Sequence, residues 1–385
     1  MTIKYIITVF ILFCGWFTQA QIIPKPVKET LGKDSFTIDN QTVLVFDRND
    51  KKMVALANYF AERIDEISGI KLGGTASAEA KKIIFTKIAD ENIGNEGYFL
   101  SVNPQRIEIR YNAKEGAFYG VQSLLQLLPM ARTNAKLTVQ SREIEDFPRF
   151  AWRGMMLDVS RHFQTVESIK QTLDMLAFYK INTFQWHLCD NEGWRLEIQK
   201  YPELTEVGAW RQEIPKARIY QKDTIPQGEK YTYGGYYTQA QALDIVEYAR
   251  ERNITVIPEI EMPGHSGAAL AAYPQYSCRG NAQETPNSIL HHTDEYRNSF
   301  NLEYCAGNDE VFTFLEAILA EVFDIFPSEY IHIGGDEVDK SHWKACKKCQ
   351  KRIKKEKLAD EDELQSYFIK RMEKFINANG RKLLG

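Results

Sequence analysis

From residue 153 onward, short apolar runs alternate with amphipathic stretches of helical period, and this rhythm restricts the fold more than any other feature of the sequence. Residues 154–159, 181–188, 254–260 and 330–333 are predicted strands. Residues 166–179 form a predicted helix, with Val166, Ile169, Leu173 and Leu176 on one face. Thr238 and Gln241 make a capping box for the next helix, whose buried stripe is Ala242, Ile245, Val246 and Ala249. Asn308 is placed to cap a helix over 311–326, and Gly380 to terminate one over 360–379. A fifth strand begins at 381–384.

Strands alternating with helices imply a parallel sheet, either closed as a (β/α)8 barrel or open and doubly wound. The positions of the polar residues favour the barrel. Each strand ends in titratable or basic groups: Asp158 and Arg161, His187 and Asp190, Glu259 and Glu261, Asp336 and Glu337. A barrel gathers such ends on one face, whereas an open sheet spreads them along a line. The chain therefore reads as α/β, with only about the first half of a TIM-type (β/α)8 barrel present and the barrel incomplete at the C-terminus.

Residues 1–20 read as a signal peptide. Lys4 supplies the positive start, 5–17 is an apolar run too short for a full bilayer span, and Ala20 is the small residue at the expected cut. Export to the periplasm, the cell surface or the outside is the resulting expectation, and no later segment is apolar enough to span a membrane. Residues 21–143 form a small α/β accessory domain, with strands at 42–46, 82–86, 98–102 and 106–110 and helices at 54–67 and 117–128. Pro148 marks the junction, and 150–385 is the catalytic barrel domain.

The net charge of −4 gives nucleic acid no basic face to bind, so no nucleic-acid partner is expected. Six Trp in a chain with 12% aromatics suit either a sugar site or a well-filled core. Five cysteines lie beyond the leader: Cys189, Cys278, Cys305, Cys346 and Cys349. An exported protein can oxidise them, and Cys278 with Cys305 and Cys346 with Cys349 are the expected pairs. Cys346-Lys-Lys-Cys349 also has the form of half a zinc site, but no second pair stands at matching spacing. The expectation is no metal and no cofactor.

The sharpest motif is His332-Ile333-Gly334-Gly335-Asp336-Glu337. Two glycines let the chain turn tightly at a strand end. The two acids that follow can both face a ligand only beyond the strand, because successive strand residues point oppositely. Neighbouring carboxyls repel as like charges, which can keep one protonated for general acid work. Arg161, in Asp158-Val159-Ser160-Arg161-His162-Phe163, offers a rigid fork of donors to sugar hydroxyls or a carboxylate. Trp186-His187-Leu188-Cys189-Asp190-Asn191-Glu192-Gly193-Trp194-Arg195 and Pro258-Glu259-Ile260-Glu261-Met262-Pro263-Gly264-His265 complete the set, and Asp190 and His265 could hydrogen-bond each other and tune an acid.

In order and at successive strand ends, these motifs resemble glycoside hydrolase family 20, the β-N-acetylhexosaminidases. The resemblance runs from the accessory domain to the last residue. It implies exo-acting hydrolysis of terminal N-acetylglucosamine or N-acetylgalactosamine, with Glu337 as general acid/base and Asp336 orienting the 2-acetamido group. It also implies that Arg161 grips the sugar's outer hydroxyls, and that Asp190 and His265 line the site and are linked to the acid. His332 and Trp343 match recurrent family positions. Cys189, Asn191 and Glu192 vary the family loop, and Glu261 stands where Asp is common. The family's pocket also draws on later strands, beyond Gly385. Two rival readings remain at this level: a non-catalytic sugar-binding relative or inactive fragment of the same fold, and a metal-dependent hydrolase. The second lacks paired histidines on a helix.

Overall fold

A computed structural model describes residues 21–72, 80–133, 136–211, 233–286 and 299–385. The leader expected over 1–20 lies outside the described residues. The chain divides into two compact units, Met1–Arg149 and Phe150–Gly385.

The first unit is built on a six-stranded mixed sheet in the order Lys28–Ile38, Leu137–Asp146, Tyr98–Val102, Arg106–Tyr111, Lys82–Lys87, Val43–Val45. Alternation dictates which face is covered: Ile107, Ile109 and Tyr111 turn inward while Arg106 and Arg110 stay exposed. Helix Lys114–Gln126 lies against Tyr98–Val102 and Arg106–Tyr111, and helix Lys51–Ser68 packs beside it. The latter begins where Asp50 accepts the Lys52 and Met53 amides and ends at Gly69, whose left-handed φ of 74° favours glycine. The two longest strands, Lys28–Ile38 and Leu137–Asp146, were not foreseen. The first is charged and largely exposed, the second carries charged residues through its later half, and their pairing joins segments about a hundred residues apart.

The second unit contains five parallel strands: Gly154–Asp158, Thr183–His187, Thr255–Glu259, Tyr330–His332 and Lys382–Leu384. Each is hydrogen-bonded to the next in sequence. A doubly wound sheet reverses its order at a switch point, whereas a β/α barrel never does. The order is therefore that of a TIM-type barrel. Helices Val166–Phe178, Gln239–Glu251, Asp309–Ile325 and Glu361–Ala378 separate the strands. Their starts follow local chemistry. Thr238 Oγ1 accepts the Gln241 amide while Gln241 Oε1 accepts the Thr238 amide, Asn308 accepts from Glu310, and Asp360 accepts from Asp362 and Glu363. Short helices Glu203–Glu206 and Gly267–Ala272 lie within the long loops expected from the sequence, and Ser341–Ala345 and Lys347–Glu356 fill a stretch to which the sequence assigns no element. Trp186, Trp194 and Trp343 are fully buried and belong to the core rather than to an open sugar platform.

Candidate active site

The register of the sheet sets the floor of the site. Asp158 pairs with His187, His187 with Glu259, and Glu259 with His332. Residues level with one another across a parallel sheet point the same way, so acid, imidazole, acid and imidazole form a row at the C-terminal strand ends. His187 Nδ1 lies 2.9 Å from Glu259 Oε2, and its Nε2 lies 3.2 Å from Asp190 Oδ2. His332 Nδ1 lies 3.0 Å from Glu259 Oε1.

Arg161 stands over this row. Its guanidinium meets Asp158 Oδ2 at 3.0 Å, Asp190 Oδ2 at 2.7 Å and Glu192 Oε2 at 3.1 Å. Three carboxyls fix the orientation of the fork, and 35% of the side chain stays exposed to a ligand. Two further arginines hold the backbone beneath it. Arg195, completely buried, donates to the carbonyls of Val159, Ser160, Ala209 and Gly235. Arg211 donates to the carbonyls of Arg161 and Glu192.

The acid pair hangs from the turn after the fourth strand. Gly334 and Gly335 take φ of 64° and 101°, and Glu337 itself takes a φ of 45°. A Cβ on Gly334 would stand 1.7 Å from Glu261 Oε2, so space as well as conformation demands glycine there. A left-handed glutamate is strained backbone of the kind that gathers at functional sites. Asp336 and Glu337 side chains are 63% and 80% exposed. His265, also left-handed at φ 48°, bridges them to the floor. Its Nδ1 is 3.1 Å from Asp190 Oδ1, and its Nε2 is 3.7 Å from Asp336 Oδ2 and 3.6 Å from Glu337 Oε2. One continuous chain thus runs Arg161–Asp190–His265–Asp336/Glu337.

Burial and pairing divide the protons in this chain. Burial by itself would lower His187 and His265, but hydrogen bonds to carboxylates prevail and raise them to about 10 and about 9. Burial would raise Asp190 and Glu259, but bonds to the histidines hold both well below the usual carboxylate range. Glu261 makes no such hydrogen bond, His187 Nδ1 standing 3.9 Å from its Oε1. Burial, and then the charge of Glu259, push it to about 9, so it is a neutral acid at pH 7.

The sequence profile of the glycosyl hydrolase family 20 catalytic domain matches residues 150–385, and that of the family's domain 2 matches residues 19–147. The chain belongs to glycosyl hydrolase family 20. It is 43% identical to a beta-hexosaminidase of Porphyromonas gingivalis over 372 residues, which is 94% of this chain and 45% of the relative. The crystal structure of a Bacteroides fragilis β-N-acetylhexosaminidase superposes with a TM-score of 0.75 at 33% identity, covering 94% of this chain and 65% of that one. A Vibrio harveyi exo-β-N-acetylglucosaminidase solved with N-acetylglucosamine superposes at 0.79 with 32% identity, covering 95% and 55%. The chain spans about half the length of the curated relatives it matches.

All five residues singled out from the sequence, Arg161, Asp190, His265, Asp336 and Glu337, lie in the one connected chain. His187 and Glu259, noted only as strand ends, prove to be its floor. Glu192 and Arg211 were not singled out for the site. An acid next to a glycine, and an arginine in a long loop, carry no local signal of their own.

Proposed function

We propose that the protein of which this chain is part is an exo-acting β-N-acetylhexosaminidase that cleaves terminal N-acetylglucosamine or N-acetylgalactosamine with retention and substrate assistance. The observation that carries this reading is the position of His265 Nε2, 3.7 and 3.6 Å from the carboxyls of Asp336 and Glu337. One oxygen of each acid and the ring nitrogen lie within 4.8 Å of one another, so both acids reach the same reacting centre.

Most retaining glycosidases use a second carboxylate as nucleophile, and substrate assistance is the recognised exception. In the proposed reaction the acetamido oxygen attacks C1 as the glycosidic C1–O bond breaks. Glu337 gives its proton to the leaving oxygen. Asp336 accepts the acetamido N–H and offsets the charge of the oxazolinium ion that forms. Glu337, now a carboxylate, takes a proton from the water that attacks C1, and the ring opens. Two inversions restore the configuration. Tethering the nucleophile removes most of the entropic cost of attack. Arg161, held by three carboxyls, is the donor for the sugar's outer hydroxyls. Residues 1–20 support export of the protein, so its substrates are glycans or glycoconjugates outside the cytoplasm.

The test uses the full-length protein and an aryl N-acetyl-β-glucosaminide. Glu337→Gln is expected to cut turnover about 10²–10⁴-fold while sparing binding. Asp336→Asn is expected to lower kcat on 2-acetamido substrates severely. Wild-type turnover by Glu337→Gln overturns the role given to Glu337.

A further inference from the structure

The four cysteines at 278, 305, 346 and 349 converge, although the sequence pairs them differently. All four sulfurs lie within 4.8 Å of one another, and none forms a disulfide. Cys278 to Cys349, Cys305 to Cys346 and Cys305 to Cys349 are each 3.7 Å apart. A disulfide requires about 2.05 Å. Sulfurs at the corners of a tetrahedron, each about 2.3 Å from a central zinc, stand about 3.8 Å apart. Three of the six sulfur pairs stand at that spacing, and the other three lie within 4.8 Å.

We infer that these four cysteines form a structural zinc site, a tetrathiolate that ties the segment after the third barrel strand to the segment carrying the acid pair. Cys346-Lys-Lys-Cys349 supplies one half, as its spacing allows. Cys346 stands at the N-cap position of helix Lys347–Glu356, without a side-chain capping bond, and Cys349 sits in its first turn, where the helix N-terminus favours thiolate. The other half comes from two loop cysteines 27 positions apart, whose spacing in sequence gives no sign of a site. They are brought together by the antiparallel bridge between Ser277 and Tyr304. The two halves touch at Gly307. A Cβ there would stand 2.2 Å from the Lys348 carbonyl carbon, so only glycine allows the approach. Cys305 and Cys349 are buried, and Cys278 and Cys346 are half-buried. Lys347, Lys348 and Lys351 flank the cluster in sequence, and their charge suits the net negative charge that four thiolates leave on a divalent ion.

Four thiols in an oxidising compartment would ordinarily become disulfides. Coordination to a metal with no redox chemistry shields them, and zinc is the common tetrahedral choice of an all-thiolate set. The same two segments also meet where Trp343 Nε1 donates to the Tyr304 carbonyl at 2.9 Å and where His342 Nδ1 meets Glu303 Oε1 at 2.5 Å. The metal would therefore brace the stretch that leads back to Asp336 and Glu337.

The full-length protein, isolated from its own cells without chelator, is analysed for metals and thiols. One equivalent of zinc is expected, released when a mercurial titrates the thiols and detected with a colorimetric zinc indicator. Cobalt exchange should give the thiolate-to-metal charge-transfer bands of a tetrahedral sulfur site. Cys278→Ser and Cys349→Ser should each lower zinc content several-fold. If either variant does not fold, the wild-type stoichiometry and mercurial release decide alone. Non-reducing peptide mapping that finds Cys278–Cys349 and Cys305–Cys346 disulfides overturns the inference. So does iron in place of zinc, or four freely reactive thiols with no bound metal.

Discussion

Glu261 keeps its proton because burial, and then the charge of Glu259, outweigh the attraction of His187 and His265. Its Oε2 is buried without a hydrogen-bond partner beneath Gly334, and its pKa rises from 4.5 to about 9. The native state therefore binds one more proton than the unfolded chain between those values. Stability from this group is full below about pH 4.5 and falls as pH rises towards 9. Glu261→Gln, neutral throughout, should stabilise the protein by on the order of 1–3 kcal/mol at pH 8 and by little at pH 4.5. Urea unfolding at the two pH values checks this, and an equal effect at both would place the burial cost elsewhere. Arg161 shows what the sequence made legible at this scale. A guanidinium two residues beyond a strand end, near acids, could be read as a ligand donor, but its three carboxyl partners come from two different strand-end segments and only the fold joins them.

The strand-to-helix turns carry the working residues, and their tolerance to change is narrow. Gly334→Ala must accommodate a Cβ 1.7 Å from Glu261 Oε2 at a φ of 64°. The expected loss is about 2–4 kcal/mol, with turnover falling as the acid pair is displaced. Chemical denaturation and aryl-glycoside kinetics measure the two effects, and an unchanged variant would show that the turn has slack. Arg195→Met strands four carbonyls that now share one guanidinium, and should cost at least about 3 kcal/mol in the same denaturation assay. Elements with a strong period or a cap were readable: the Thr238 box, the Asn308 cap and the Gly380 stop stand where the residues indicated. The helix Lys347–Glu356 was not, because a run of lysines presents almost no apolar stripe, with only Cys349, Arg352 and Ile353 buried.

Across the whole molecule the titrating groups act in opposition. His187 and His265, raised to about 10 and about 9, lend stability that is complete below pH 6.5 and is lost as pH climbs through those values. Asp190 and Glu259, held low, lend stability that is lost as pH falls below the ordinary carboxylate range. The thermal midpoint should therefore peak on the acid side of neutrality and decline steadily towards pH 10. A circular dichroism melt series tests this, and a midpoint flat from pH 6.5 to 10 would contradict it. The barrel order was foreseen from the strand–helix rhythm. The long antiparallel pair Lys28–Ile38 and Leu137–Asp146 was not, since distant segments announce a shared edge only once folded.

The alternating row Asp158, His187, Glu259, His332 has a second consequence. Were any one strand to slide by a single residue, its member would swing to the helix side and the neighbours would lose the counterpart that neutralises them. The chemistry at the mouth thus doubles as a vernier: strands seat only where basic ring meets acid, and misaligned sheets are penalised before any sugar arrives.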